Sequence, residues 1–127
     1  IDKRVKRMIQ MSIFFLSLMY RPRTTPLHSS AASDVYKRRA LTAMSPESKI
    51  TVTGHTDDIP ISGGKFRDNW DLAAARAASV VQSIEETGLV SGGRMSAVSK
   101  GETDPIADNV TSAGREQNRR IEIEITY

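Results

Sequence analysis

The sequence predicts an α+β sandwich, a sheet with its helices on one face. Three observations predict it. Arg120-Ile121-Glu122-Ile123-Glu124-Ile125-Thr126 alternates strictly between apolar and polar residues, the period of a strand covered on one side. Trp70 to Glu86 reads as an alanine-rich amphipathic helix. Short strand-like runs flank that helix, and the interval from Val52 to Val98 is ample for a right-handed parallel crossover. The resulting order of strand, helix, strand, helical turn and strand fits helices layered on a sheet.

Taken from the N-terminus, Met8 to Phe15 is compatible with a strand. Arg21-Pro22-Arg23-Thr24-Thr25-Pro26 blocks a continuous helix. Ser33 to Met44 is compatible with a helix capped by Ser33 or Asp34, although its apolar spacing is ragged, and Ser45-Pro46 is a stop. From Lys49 onward the signals agree with one another. Ile50-Thr51-Val52-Thr53-Gly54 alternates as a half-buried strand. His55 to Asp68 holds Pro60, Gly63 and Gly64 and reads as a loop. Asp68 or Asn69 suits the N-cap of the helix, and Asp71 suits the positive end of its dipole. Leu72, Ala73, Ala77, Val80, Val81 and Ile84 form its apolar stripe, and Trp70 is expected in the core. Thr87-Gly88 ends it, with Gly88 fitted to a left-handed cap. Arg94 to Ser99 reads as a strand, Gly101 to Gly114 as a loop, and Arg115 to Asn118 as a helical turn. In the last strand the Ile face is expected buried and the Glu face wet.

Charge divides the 127-residue chain as sharply as pattern does. Residues 1–49 carry 10 Lys+Arg and 3 Asp+Glu, a net +7, whereas residues 50–127 carry 8 and 12, a net −4. The basic balance therefore belongs to the N-terminal part and does not mark a nucleic-acid binder. The arginines of residues 115–120 also lack the interleaved aromatics that stacking on bases requires. With no cysteine, disulfides, thiolate metal sites and a cysteine nucleophile are excluded. The apolar run Met8 to Tyr20, interrupted by Gln10, Ser12 and Ser17, falls short of the roughly 20 residues of a spanning helix. Lys3, Arg4, Lys6 and Arg7 ahead of it mimic a signal peptide, but the chain opens at Ile1, as a piece of a longer protein would, with any signal or anchor upstream.

Two polar groups carry chemistry. Gly54-His55-Thr56-Asp57-Asp58 sits where a strand runs into a loop, and Arg76 follows Asp57 by 19 residues on the next helix. In a βαβ unit the end of the strand and the start of the helix are neighbours. Asp57 and Arg76 can therefore face one small zwitterion, the carboxylate holding an ammonium and the guanidinium a carboxylate. The plainer reading is that they pair with each other. The second group is Gly114-Arg115-Glu116-Gln117-Asn118-Arg119-Arg120, either a solvated charged turn or a segment whose Asn118 and Arg119 brace the Asp57 loop or touch ligand. One His beside two acids is a poor metal set, and no metal or other cofactor is expected. No nucleophile elbow or Ser–His–acid set is present, so no catalytic residues are assigned.

Gly54-His55-Thr56-Asp57, Asn69-Trp70-Asp71-Leu72-Ala73-Ala74-Ala75-Arg76-Ala77 and Gly101…Pro105…Asn109…Thr111…Gly114-Arg115-Glu116-Gln117-Asn118-Arg119-Arg120, in that order, resemble the OmpA-like peptidoglycan-binding domain. The resemblance covers about residues 49–127. The long loop from Asp58 to Trp70 is similar to the MotB-type branch, the stator subunits of the flagellar motor. The resemblance implies a βαβαβ two-layer sandwich with a mixed sheet, and a non-catalytic domain of the periplasm. Its implied ligand is the peptide stem of peptidoglycan, chiefly diaminopimelate, held at Asp57 and Arg76, with Thr56, Asn69, Leu72 and Arg119 lining or supporting the pocket. The family's Leu-Ser is Leu72-Ala73 here, one hydroxyl fewer. It further implies a membrane anchor in upstream sequence, a homodimer and a stator partner subunit. A porin, lipoprotein or secretion-system anchor is the alternative context. Residues 1–48 are atypical: Met11 to Phe15 resembles the end of the family's first strand, but Leu16 to Arg39 matches neither the expected loop nor the helix. A local reading-frame error with normal sequence resuming near Ala40 or Ser45, and a divergent segment, are the two readings.

Overall fold

The computed structural model describes residues 6–12, 47–61 and 63–127. The helix expected over Ser33–Met44 and the run Leu16–Arg39 lie outside the described residues. Strand β1 spans Lys6–Ser12, β2 Lys49–His55, helix α1 Asn69–Glu86, a short 3-10 turn Gly92–Arg94, β3 Met95–Gly101, helix α2 Ser112–Asn118 and β4 Arg120–Thr126. The strand read at Met8–Phe15 thus begins two residues earlier, and β3 runs two residues past Ser99. The helical turn read at Arg115–Asn118 opens a full turn earlier, because Thr111 caps it: its Oγ1 accepts from Gly114 N at 3.0 Å.

Among the described residues the sheet is mixed and ordered β1-β4-β2-β3. β4 lies antiparallel to both β1 and β2, and β2 lies parallel to β3. Pleating puts Ile121, Ile123 and Ile125 of β4 on the same face as Ile50 and Val52 of β2, and all five are buried. Helix α1 packs on that face over β2 and β3. Its Ala73 and Ala77 are fully buried, while Val80, Val81 and Ile84 close the core from its flank. Asp68 rather than Asn69 is the N-cap, its Oδ1 accepting from Asp71 N at 2.8 Å. Gly88, at φ +73°, turns the chain away in the left-handed conformation just past the helix.

Two expectations give way. Trp70 is not core: it is half exposed, its ring laid over the backbone of Gly101 at the end of β3. One turn of helix separates it from Ala73, so it falls beyond the rim of the sheet. The second face of β4 is not uniformly wet either. Glu122 and Glu124 are half-buried, and Arg120 is only 1% exposed, beside His55 at 1%.

The alanine stripe exists so that α1 can come close. A Cβ on Gly54 would sit 2.2 Å from the Ala73 carbonyl oxygen, a backbone atom that cannot step aside. Gly54→Ala should therefore push helix from sheet and lower stability by about 1–3 kcal/mol, read as a lower urea midpoint. An unchanged midpoint would show that the helix has slack the packing does not suggest.

Candidate functional site

The site forms where β2 ends, α1 begins and β4 begins. The β2–β4 register sets His55 opposite Arg120, which brings Asp57, two residues past His55, near Arg119, the residue before Arg120. Arg119 Nη1 reaches Asp57 Oδ2 at 2.8 Å, and Asp57 Oδ1 accepts from Ile59 N at 3.1 Å. The carboxylate is buried and the guanidinium is more than a third exposed. Thr56 is buried, held by N–H donation to Gly101 O at 2.8 Å, and its Oγ1 donates to Asp57 O at 2.8 Å. Asn69 Nδ2 donates to Asp57 O at 3.3 Å and Ile59 O at 3.2 Å, tying the first residue of α1 to the Asp57 loop.

Asn69, Leu72 and Arg76 follow one another at helical spacing and share a stripe of α1. Leu72 and Arg76 are half-buried. The pairing of Asp57 with Arg76 left open by their spacing does not occur: the aspartate is engaged by Arg119. Arg76 instead has its Nη1 buried without a hydrogen-bond partner. Burial, and next the positive charge of Arg119, lower its pKa, while Asp57 opposes them. An arginine remains a cation under such influences. The site therefore brings one carboxylate and two guanidiniums together, with one guanidinium nitrogen desolvated and unspent. That is a receptor for an anionic group with a cationic neighbour.

Asn118 does not brace the Asp57 loop as read from sequence. Fully buried, its Oδ1 accepts from Ile106 N at 2.8 Å and Ala107 N at 3.0 Å, and its Nδ2 donates to Ala107 O at 2.9 Å and Asn109 Oδ1 at 2.7 Å. Arg115 Nη1 adds bonds to Asn109 O and Val110 O at 2.9 and 3.0 Å. Of the pair Asn118–Arg119, the first fixes the 106–110 loop and only the second reaches Asp57. Among the described residues, no group of three or more His, Cys, Asp or Glu side chains converges on a possible metal position.

Sequence reading missed a buried polar cluster on the far face of the sheet. Arg120 Nε donates to Glu122 Oε1 at 2.8 Å, Arg120 Nη2 to Asp104 O at 2.9 Å and Arg120 Nη1 to Asn118 O at 3.3 Å. His55 Nε2 lies 3.4 Å from Glu122 Oε2. Alternation within β2 and β4 was the available signal, since it sends His55, Arg120 and Glu122 to one face. Burial, then the charge of Arg120, lowers the His55 pKa against the pull of Glu122 and Asp104. Burial would raise the Glu122 carboxyl, but the hydrogen bond and charge of Arg120, with help from His55, hold it below its ordinary value.

A family model described as OmpA family matches residues 19–119. The matched span opens inside the atypical N-terminal stretch. Motility protein B of Bacillus subtilis is 36% identical over 83 residues, 65% of this chain and 32% of that protein. The chain thus spans about a third of that relative's length. The periplasmic domain of Helicobacter pylori MotB superposes with a TM-score of 0.76 at 26% identity, covering 99% of this chain and 78% of that one. The cell wall anchor of the type VI secretion system from Pseudomonas aeruginosa superposes at 0.73 and 27% identity, covering 95% and 81%.

Two outcomes follow from these bonds. Asn118→Ala removes the acceptor shared by the amides of Ile106 and Ala107, each bond worth about 0.5–1.5 kcal/mol. Hydrogen exchange should accelerate at those two amides while the β2 and β4 amides stay protected; equal acceleration everywhere would refute a local anchor. Stability should also fall with acid, in two stages of one sign. His55 is favoured neutral in the fold, so below about pH 6.5 the unfolded chain takes up that proton first and the fold loses ground. Glu122 contributes fully above its unfolded value and ceases to as pH falls through its lower folded value. Urea midpoints from pH 7.5 down to 4 should therefore decline, and a flat profile would contradict both shifts.

Proposed function

This chain belongs to the OmpA family, and on that premise we propose that it binds the peptide stem of peptidoglycan without catalysis. The ligand is the free end of diaminopimelate, which presents an ammonium beside a carboxylate. One observation carries the reading: the buried, unpartnered Arg76 Nη1 next to the Asp57–Arg119 pair. A carboxylate accepted there satisfies a nitrogen that has no partner otherwise, and a charge-assisted bond in a sheltered site is stronger than one in water. The ammonium then shares the Asp57 carboxylate with Arg119. Thr56 and Asn69 act by fixing the Asp57 backbone, and Leu72 gives the pocket an apolar wall.

The role follows from the binding. A domain that grips the wall non-covalently in the periplasm serves as the anchor of a membrane-bound assembly. The likeness to motility protein B and to the Helicobacter MotB domain favours a flagellar stator, with an inner-membrane anchor, a second copy of the chain and a stator partner subunit. The likeness to the type VI secretion anchor favours another envelope complex as the second reading. No described helix is long and apolar enough to cross a membrane. The gene upstream separates the contexts: a single spanning helix with an intramembrane Asp belongs to an ion-driven stator.

Co-sedimentation with purified sacculi tests the binding. Wild type should pellet, whereas Asp57→Ala and Arg76→Ala, each with an unchanged circular dichroism spectrum, should lose at least tenfold in affinity. Folded wild type that stays in the supernatant, or variants that pellet equally, would sink the proposal.

A further inference from the structure

The strands that deliver the ligand pair deliver the buried cluster as well. His55 stands two residues before Asp57, and Arg120 stands one residue after Arg119. The two are register partners across β2 and β4. We propose that His55 makes ligand binding at the Asp57–Arg76 site pH-dependent, strong while its imidazole is neutral and weak once it is protonated. The inference rests on the wall-binding reading above and adds a regulator to it.

The geometry leaves an imidazolium poorly accommodated. His55 is 1% exposed, and neither Nδ1 nor Nε2 has a hydrogen-bond partner. From β4 it faces Arg120 and Glu122, and from the loop after β3 it faces Asp104. On β3 its register partner is Gly101, and on β1 the partners of Arg120 and Glu122 are Ser12 and Gln10, none of them charged. Protonation gives the ring a second N–H and a positive charge beside Arg120. Glu122 Oε2, 3.4 Å from Nε2, can take one N–H, but Glu122 Oε1 already holds Arg120 Nε at 2.8 Å. Nδ1 gains no acceptor, and an unsatisfied buried donor is costly.

Relief requires either that the ring turn out or that Glu122 yield Arg120. The β2–β3 ladder is already broken at this point by a register shift between Gly54 and His55, so fewer regular ladder bonds oppose a displacement of His55. Movement at His55 carries Thr56 and Asp57, and movement at Arg120 carries Arg119. Both disturb the 2.8 Å contact of Asp57 with Arg119 and the spacing of Asp57 from Arg76. Burial and the charge of Arg120 set this change below the ordinary histidine range. By linkage, a ligand that favours neutral His55 expels a proton on binding, and log affinity against pH approaches a slope of one.

Calorimetry on the full 127-residue chain with a soluble, diaminopimelate-containing muropeptide, from pH 7.5 to 5.0, tests this. Affinity should fall toward acid, approaching tenfold per pH unit. His55→Gln should bind within about threefold of wild type at pH 7.5 and show a flat profile. A second measurement does not depend on that variant folding. The chain has two histidines, so His28→Gln leaves one imidazole signal for NMR titration, and saturation with muropeptide should lower its pKa. An unshifted imidazole, a flat wild-type profile, or a slope retained in folded His55→Gln overturns the inference alone. Absence of muropeptide binding at pH 7.5 overturns the wall-binding reading, and this inference with it.

Discussion

Everything at the functional end depends on the antiparallel register that sets His55 opposite Arg120. A strand's side chains alternate with period two, so a slip of one residue would exchange the faces of β4. Ile121, Ile123 and Ile125 would leave the core, and Arg120 and Glu122 would enter it. The register is thus fixed by the hydrophobic pattern along the whole strand, not by the polar groups at its end. Arg119, which comes just before the strand, inherits its position from that pattern. The ion pair with Asp57 is therefore assembled by apolar packing and needs little adjustment of its own.

The same register explains the charge of the site. Asp57 cannot satisfy two arginines at once, and Arg119 holds it at 2.8 Å. Arg76 is left partly desolvated and faces another cation. Removing a charge from water without a partner is costly. Asn118 makes four contacts, whereas Arg76 Nη1, like Ser48 Oγ and the two ring nitrogens of His55, is buried without a partner, and of these only Arg76 carries a fixed charge.

Legibility in the sequence followed the strength of local signals. The alternation of β4 was long enough to fix its bounds at Arg120 and Thr126, and the alanine stripe announced a helix pressed against a sheet. Asp57 and Arg76 could be placed near each other because a βαβ unit brings strand end and helix start together. Arg119, 62 residues from Asp57, was legible as a brace of the Asp57 loop only as one of two readings of a charged turn, since nothing local states the strand order β1-β4-β2-β3; the structure shows that contact. Trp70 was misread as core for a related reason: helical periodicity gives the direction of a side chain but not where the sheet stops. The burial of Arg120 was equally hidden. Alternation assigns it to the face away from α1, and only the fold of the 104–109 loop, tied by Asn118 and by the Asp104 carbonyl, shows that this face is covered there.

Two adjacent arginines thus do different work. Arg119 lies outside the strand, partly in solvent, and offers one nitrogen to a carboxylate that a ligand can share. Arg120 opens the strand, and the pleat sends its fork the other way, into a set of fixed acceptors: Glu122 Oε1, Asp104 O and Asn118 O. Three nitrogens of one planar group answer three acceptors in fixed directions, which a lysine ammonium on its flexible stem would not reproduce. Because the two residues are consecutive, with their Cα atoms a fixed peptide apart, whatever holds Arg120 narrows where Arg119 can stand. The buried cluster on one face of the sheet therefore sets how firmly the ligand pair at its edge is held. A proton added to that cluster acts on binding without touching the ligand.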